Sequence, residues 1–147
     1  MKKLTLHVPL TVMLPRKKSD GRKFICNLNW YRNTHHIILN QAKILYKDNV
    51  AWRLTMDHCY IGGAKKMMPE PPYLFTYTLF PKDQRGYDLG NVCSIVQKFT
   101  DDALIELGII PDDNFKIVRA VNYRYGEVDK LDPRVELEIT HYEQGES

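Results

Sequence analysis

The sequence has no run approaching the roughly eighteen apolar residues that a membrane-spanning helix needs, so no membrane partner is expected. Its first fifteen residues hold two lysines and scattered apolar residues. They contain neither a continuous apolar core nor a small-residue cleavage site, which argues against a secretory signal. Cysteine is scarce: Cys26, Cys59 and Cys93 are odd in number, widely spaced and form no CxxC. That favours reduced thiols in a cytoplasm over a disulfide framework or a zinc site. The adjacent pairs His35-His36 and His58-Cys59 do not match zinc-ligand spacing. Internal repeats and low-complexity stretches are missing too, which sets aside solenoids, while the final EQGES is expected to fray.

A chain of 147 residues with 44% apolar and 27% charged residues can bury a core of its own, and a single domain over residues 1–147 is expected. The net charge of +3 is divided unevenly. Residues 1–66 hold 13 Lys and Arg against 3 Asp and Glu, whereas residues 67–147 hold 8 against 15. The first part reads as a phosphate-facing surface and the second as a source of metal ligands. The plainer reading is that the two parts fold together and neutralise each other.

Alternation at Leu4, Leu6, Val8 and Leu10 predicts a first strand, which residues 11–14 can continue. Residues 15–23 read as a polar loop with an Asp20-Gly21 turn. Its cations Arg16, Lys17, Lys18, Arg22 and Lys23 suit an arm on a DNA backbone, or else a solubilising tip. A short strand is expected over 24–28. Trp30 and Tyr31 beside Arg32 either stack on unpaired bases or anchor the next helix in the core. That helix is capped by Asn33 or Thr34 and runs to about residue 55, with Lys43, Lys47 and Arg53 projecting from it. Gly62-Gly63 reads as a break and 65–72 as a connection. Strands follow at 73–80, 115–125 and 134–142, and Arg85 lies in the turn after the first of these. Lys116, Arg119 and Arg124 of the second are further candidates for phosphate contact. The order of elements predicts a two-layer α+β domain, with helices packed on one face of the sheet.

The chain is organised around residues 87–113. Apolar residues at Val92, Ile95, Val96, Phe99, Ala103 and Leu107 predict an amphipathic helix, closed by Gly108 as a left-handed cap and kept closed by Pro111. Asp88 precedes the helix and Asp112-Asp113 follow it. Asn91, Lys98 and Asp102 share one sector of its surface. Carboxylates that hold Mg²⁺, with a lysine that offsets charge on a pentacoordinate phosphorane, are what phosphodiester hydrolysis needs. The bland alternative is a solvated helix with a Lys98–Asp102 pair.

These residues carry a resemblance. Asp88-x-x-Asn91, Lys98-x-x-x-Asp102-Ala103-Leu104 and Gly108-x-x-x-Asp112-Asp113 resemble the pattern D-x-D-N, K-x-x-x-D-A-L and G-x-x-x-D-D of RusA-like Holliday junction resolvases, small endonucleases common in phages. Residues 28–48 resemble that family's N-terminal basic helix, and the two blocks cover roughly a third of the chain. The resemblance implies a RusA-like fold with a mixed sheet, and a homodimer that resolves four-way DNA junctions by paired Mg²⁺-dependent cuts, with Mn²⁺ as a possible substitute. It implies that Asp88, Lys98 and Asp113 are catalytic and that Asp88, Asp112, Asp113 and Asn91 hold the metal. It also implies DNA contacts from Arg16, Lys17, Lys18, Arg22, Lys23, Arg32, Lys43 and Arg85. The sequence departs from the pattern at Gly90, where the family has its second Asp, and in the Asn91 to Lys98 spacing, about one helical turn longer. The missing carboxylate leaves two readings open: an enzyme whose shell is completed by other groups, or a relative that binds branched DNA or a host protein without cutting.

Overall fold

Apolar residues at every second position put a row of side chains on one face of each strand, and that face is what the helices cover. The structure is a computed structural model; it describes residues 2–16, 19–85 and 88–144, with the backbone alone over 14–16 and 19–25. In chain order the elements are β1 (Leu4–Val8), β2 (Thr11–Arg16), β3 (Ser19–Ile25), α1 (Leu28–Asn33), α2 (His36–His58) and α3 (Ile61–Lys66). They continue with β4 (Tyr73–Phe80), α4 (Leu89–Glu106), β5 (Val118–Tyr125) and β6 (Arg134–His141).

Four strands form a mixed sheet in the order β1-β6-β4-β5, and β2 and β3 form a separate antiparallel ribbon. β6 pairs antiparallel with both β1 and β4, while β5 runs parallel to β4. The register aligns Leu6, Leu137, Tyr77 and Tyr123 in one row across the sheet. Neighbouring rows are Leu4, Ile139, Phe75 and Val121, and Val8, Val135, Leu79 and Tyr125. The first three members of each row are buried, and burial declines at the β5 edge. Against them pack Ala42, Tyr46, Val50 and Leu54 of α2 and most of α4. The fold is the two-layer α+β arrangement with a mixed sheet. Phe99 sits at the junction of the helices, its ring 5.4 Å from Tyr46, 6.1 Å from Trp30 and 6.2 Å from Tyr31. Trp30 and Tyr31 are therefore core anchors.

The structure differs from the sequence reading in five places. In the stretch expected to be a loop, residues 15–16 belong to β2 and 19–23 to β3, with a register shift between Leu14 and Arg16. Pro15, which has no N–H to donate, falls at that shift. The strand expected over 24–28 stops at Ile25, because the Asn27 side chain accepts the Trp30 N–H at 2.8 Å and starts α1. α2 is consequently capped by His35, whose Nδ1 accepts the Ile37 N–H at 3.2 Å, rather than by Asn33 or Thr34, and it runs on to His58. Gly62 and Gly63 lie inside α3; a Cβ on Gly63 would stand 2.3 Å from the His58 carbonyl, so glycine there permits close approach rather than a break. Finally, β5 begins at Val118, not at 115, because Asn114 folds residues 114–118 into a turn. Its side chain accepts the Lys116 N–H and its carbonyl accepts from Ile117 and Val118.

Three glycine substitutions should separate these roles. Gly108→Ala, at φ +75°, should cost about 1 kcal/mol in urea unfolding. Gly63→Ala should cost more, because backbone must move. Gly90→Ala, in the open first turn of α4, should be neutral or add up to about 0.5 kcal/mol.

Candidate functional site

α4 begins at Asp88. The Asp88 carboxylate accepts the Asn91 N–H at 3.0 Å and so caps the helix, while remaining exposed. Asn91 in turn accepts the Leu28 N–H on its side-chain oxygen at 2.9 Å, which fastens the start of α1 to the first turn of α4. A Cβ at Gly90 would meet nothing nearer than Asp88 Oδ1 at 3.9 Å, so an aspartate would fit there beside Asp88.

Further along α4, Lys98 is exposed and its Nζ lies 5.5 Å from the centre of the Tyr31 ring. Asp102 reaches across to Lys43 of α2 at 3.8 Å, and Glu106 pairs with Lys47 at 3.0 Å. Lys43, expected on DNA, is thus engaged with a carboxylate of its own chain. Arg32 is exposed on α1, the element clipped to the Asp88 end of α4, and Arg85 is exposed in the preceding loop. Arg16, Arg22 and Lys23 belong to the β2–β3 ribbon, where Arg16 pairs with Ser19, Arg22 with Leu14 and Lys23 with Met13; Lys17 and Lys18 lie outside the described residues. In β5, Arg119 lies over the Phe115 ring at 4.2 Å and Arg124 donates to the Thr78 hydroxyl at 2.8 Å.

Beyond the far end of α4, Gly108 turns the chain and the Ile109 N–H returns to the Leu104 carbonyl at 2.9 Å. Ile109 and Ile110 are buried and the Ile117 carbonyl accepts the Tyr73 N–H at 2.7 Å, so both ends of the Asp112-Asp113 turn are pinned. Asp112 accepts the Asp113 N–H at 2.8 Å and the Asn114 amide at 3.0 Å. The backbone N–H of Asp113 is the main cause that holds the Asp112 carboxyl below its ordinary range.

One carboxylate escaped the sequence reading. Asp101 is only 5% exposed, between Gln97 Nε2 at 3.5 Å and the Tyr77 hydroxyl at 3.4 Å, and Tyr123 donates to Gln97. Burial pushes its carboxyl up to about 7, and the charges of Asp113 and Asp102 add to that. The clue was available: Cys93, Thr100 and Leu104 extend the apolar arc of α4 round to the Gln97–Asp101 side.

The four expected metal ligands divide between two places. Asp88 and Asn91 stand at the start of α4, and Asp112 and Asp113 follow its end. An 18-residue helix is ~27 Å long. Among the described residues no group of three or more His, Cys, Asp or Glu is gathered around a point that could hold an ion. Within one chain these residues do not fit a divalent-cation shell. No helix among the described residues is long and apolar enough to cross a membrane. No family model matches the chain, and no curated protein does. The likeness to RusA-like resolvases stands on the motif residues themselves.

Asp101 gives this region a pH signature. Its folded pKa is raised to about 7 from about 3.9 in the unfolded chain, so its share of stability is complete below pH ~4 and lost as pH rises through 7. Asp101→Asn should change urea stability little at pH 4 and raise it by about 1–3 kcal/mol at pH 8. Equal effects at both pH values would contradict the buried-carboxyl account.

Proposed function

We propose that the protein is a RusA-like endodeoxyribonuclease that binds four-way DNA junctions as a homodimer and needs Mg²⁺ or Mn²⁺ to cut. The observation that carries this reading is where the motif falls. Asp88 and Asp112-Asp113 bracket a single helix, α4, and all three are exposed, while the helix between them is locked into the core. Carboxylates kept in water at the ends of a rigid element stay open to a ligand while they hold their own backbone. Arg32 and Arg85 are exposed near the Asp88 end, Lys98 is exposed midway along α4, and all three supply positive charge for a phosphate backbone. Because the two carboxylate groups of one chain stand apart, a shell drawn from both needs two chains. In a two-fold dimer the Asp88 end of one protomer meets the Asp112-Asp113 turn of its partner.

A second reading is favoured by Gly90, whose missing carboxylate leaves Asp88 as the only acidic residue at the start of α4. On that reading the protein binds junctions without cutting them.

A labelled junction separates the two. Wild-type protein should give symmetric nicks that require metal, and Asp88→Asn and Asp113→Asn should each slow them by roughly 100-fold or more. Mixing the two inactive variants should restore one working site per mixed dimer, which sites built within single chains would not do. Gly90→Asp should speed cutting. Binding without nicks in the wild type, with nicks gained by Gly90→Asp, would establish the binding-only reading; no salt-sensitive binding at all would remove both.

A further inference from the structure

α2 is apolar on two sides. Ala42, Tyr46, Val50 and Leu54 fall at i, i+4, i+8 and i+12 and are fully buried in the core. On the other side Ile37, Ile44, Leu45, Trp52 and Met56 fall at i, i+7, i+8, i+15 and i+19, within about a third of the circumference. They are 54%, 57%, 38%, 59% and 63% exposed. Met13 of β2, also 56% exposed, extends this stripe across a shallow pocket that it lines together with Leu45 and Asn49. A helix apolar all round is normally a buried helix. These six side chains leave an open apolar area on the order of 600 Å², at the upper end for a monomer surface. A stable interface buries roughly 800 Å² per partner, so the stripe and its rim match one such interface.

We propose that this face is the two-fold interface between copies of this chain, with the two α2 helices packed antiparallel. The inference shares the homodimer with the nuclease reading and stands without its chemistry. The charges select the occupant. No Lys or Arg of α2 falls within the stripe sector, and Lys43 and Lys47 turn to Asp102 and Glu106 on another side, so a polyanion is the wrong partner. The stripe sector holds one charge, Asp48; Arg53 lies about 60° beyond its edge, next to the buried Ala42 line. Two helices running antiparallel about an axis near Val50 and Ala51 set each copy's Leu45 level with the partner's Met56, apolar against apolar. Arg53 lies over its own Trp52, at 5.7 Å.

Sedimentation velocity on the full chain up to roughly 50 µM tests this directly. The wild type should be dimeric, and Trp52→Glu and Met56→Glu should each weaken the dimer by roughly 100-fold with an unchanged far-ultraviolet dichroism spectrum. Should either variant fail to fold, Thr55→Arg, exposed in the same sector, serves instead. Leu45→Glu, opposite the partner's Met56, should weaken the dimer by a similar factor. A monomeric wild type, or a dimer indifferent to Trp52→Glu and Thr55→Arg, would overturn the proposal. So would a Trp52→Glu protein that stays dimeric but loses junction affinity, since the face would then belong to DNA. A dimer that dissociates as expected but never nicks DNA would leave the interface standing and remove only the nuclease reading.

Discussion

The parallel pairing of β4 and β5 is the constraint from which the rest follows. Parallel neighbours cannot be joined by a tight turn; the chain must travel from the end of one strand to the start of the next. α4 makes that journey, so its first and last residues are held at opposite ends of the sheet. Every motif residue inherits its place from this crossover. Asp88 caps the departure and Gly108 closes the arrival. Asp112 and Asp113 sit in the turn that feeds β5. The separation of the carboxylates is thus a consequence of topology, not of a local rearrangement that a side-chain rotation could undo.

The same crossover decides what becomes of the charge. In sequence, cations and carboxylates divide cleanly between the two parts of the chain. In space, α2 lies along α4, and Lys43 and Lys47 of the basic part meet Asp102 and Glu106 of the acidic part. Each such half-exposed pair is worth little to stability, about 0–1 kcal/mol. Its effect on recognition is larger, because a cation already beside a carboxylate adds little to the field that draws a polyanion. Among the described residues, exposed cations outside α2 include Arg32 and Arg85 near the Asp88 end, Lys98 midway along α4 and Lys116 beside the Asp112-Asp113 turn.

How much of this was legible depended on whether the signal was local. β4, β6 and α4 were readable because alternation, 3.6-residue periodicity and the Gly108–Pro111 stop act over a few residues. α1 was not readable, because it depends on the Asn27 side chain, which caps a helix from within a stretch that also suits a strand; the start of α2 was read slightly early because His35 is its cap. The parallel β4–β5 pairing depends on partners distant in sequence, and the β2–β3 ribbon on pairing between residues that, taken singly, read as a polar loop. Asp101 was missed for a related reason. A single apolar stripe implies a helix lying on a surface, with its carboxylates in water. α4 instead contacts the sheet, α1 and α2 together and is buried round most of its circumference. A carboxyl that would be solvated on a peripheral helix is then enclosed by Tyr77 and Gln97.

Two motif residues serve the fold as well as any ligand. The Asp88 carboxylate caps α4 and the Asn91 amide holds α1 in place. Neither duty explains why the residues take the identities they do. Asn, Ser or Thr caps a helix about as well as Asp, and a charge at that position is not required by the hydrogen bond. Asp112 and Asp113 pose the same question at the far end, where a single Asx residue would suffice for the turn and two adjacent acids repel each other. The structure spends like charge where neutral residues would hold the same backbone. That surplus favours a cation or a cationic partner at these two loops over a purely architectural role.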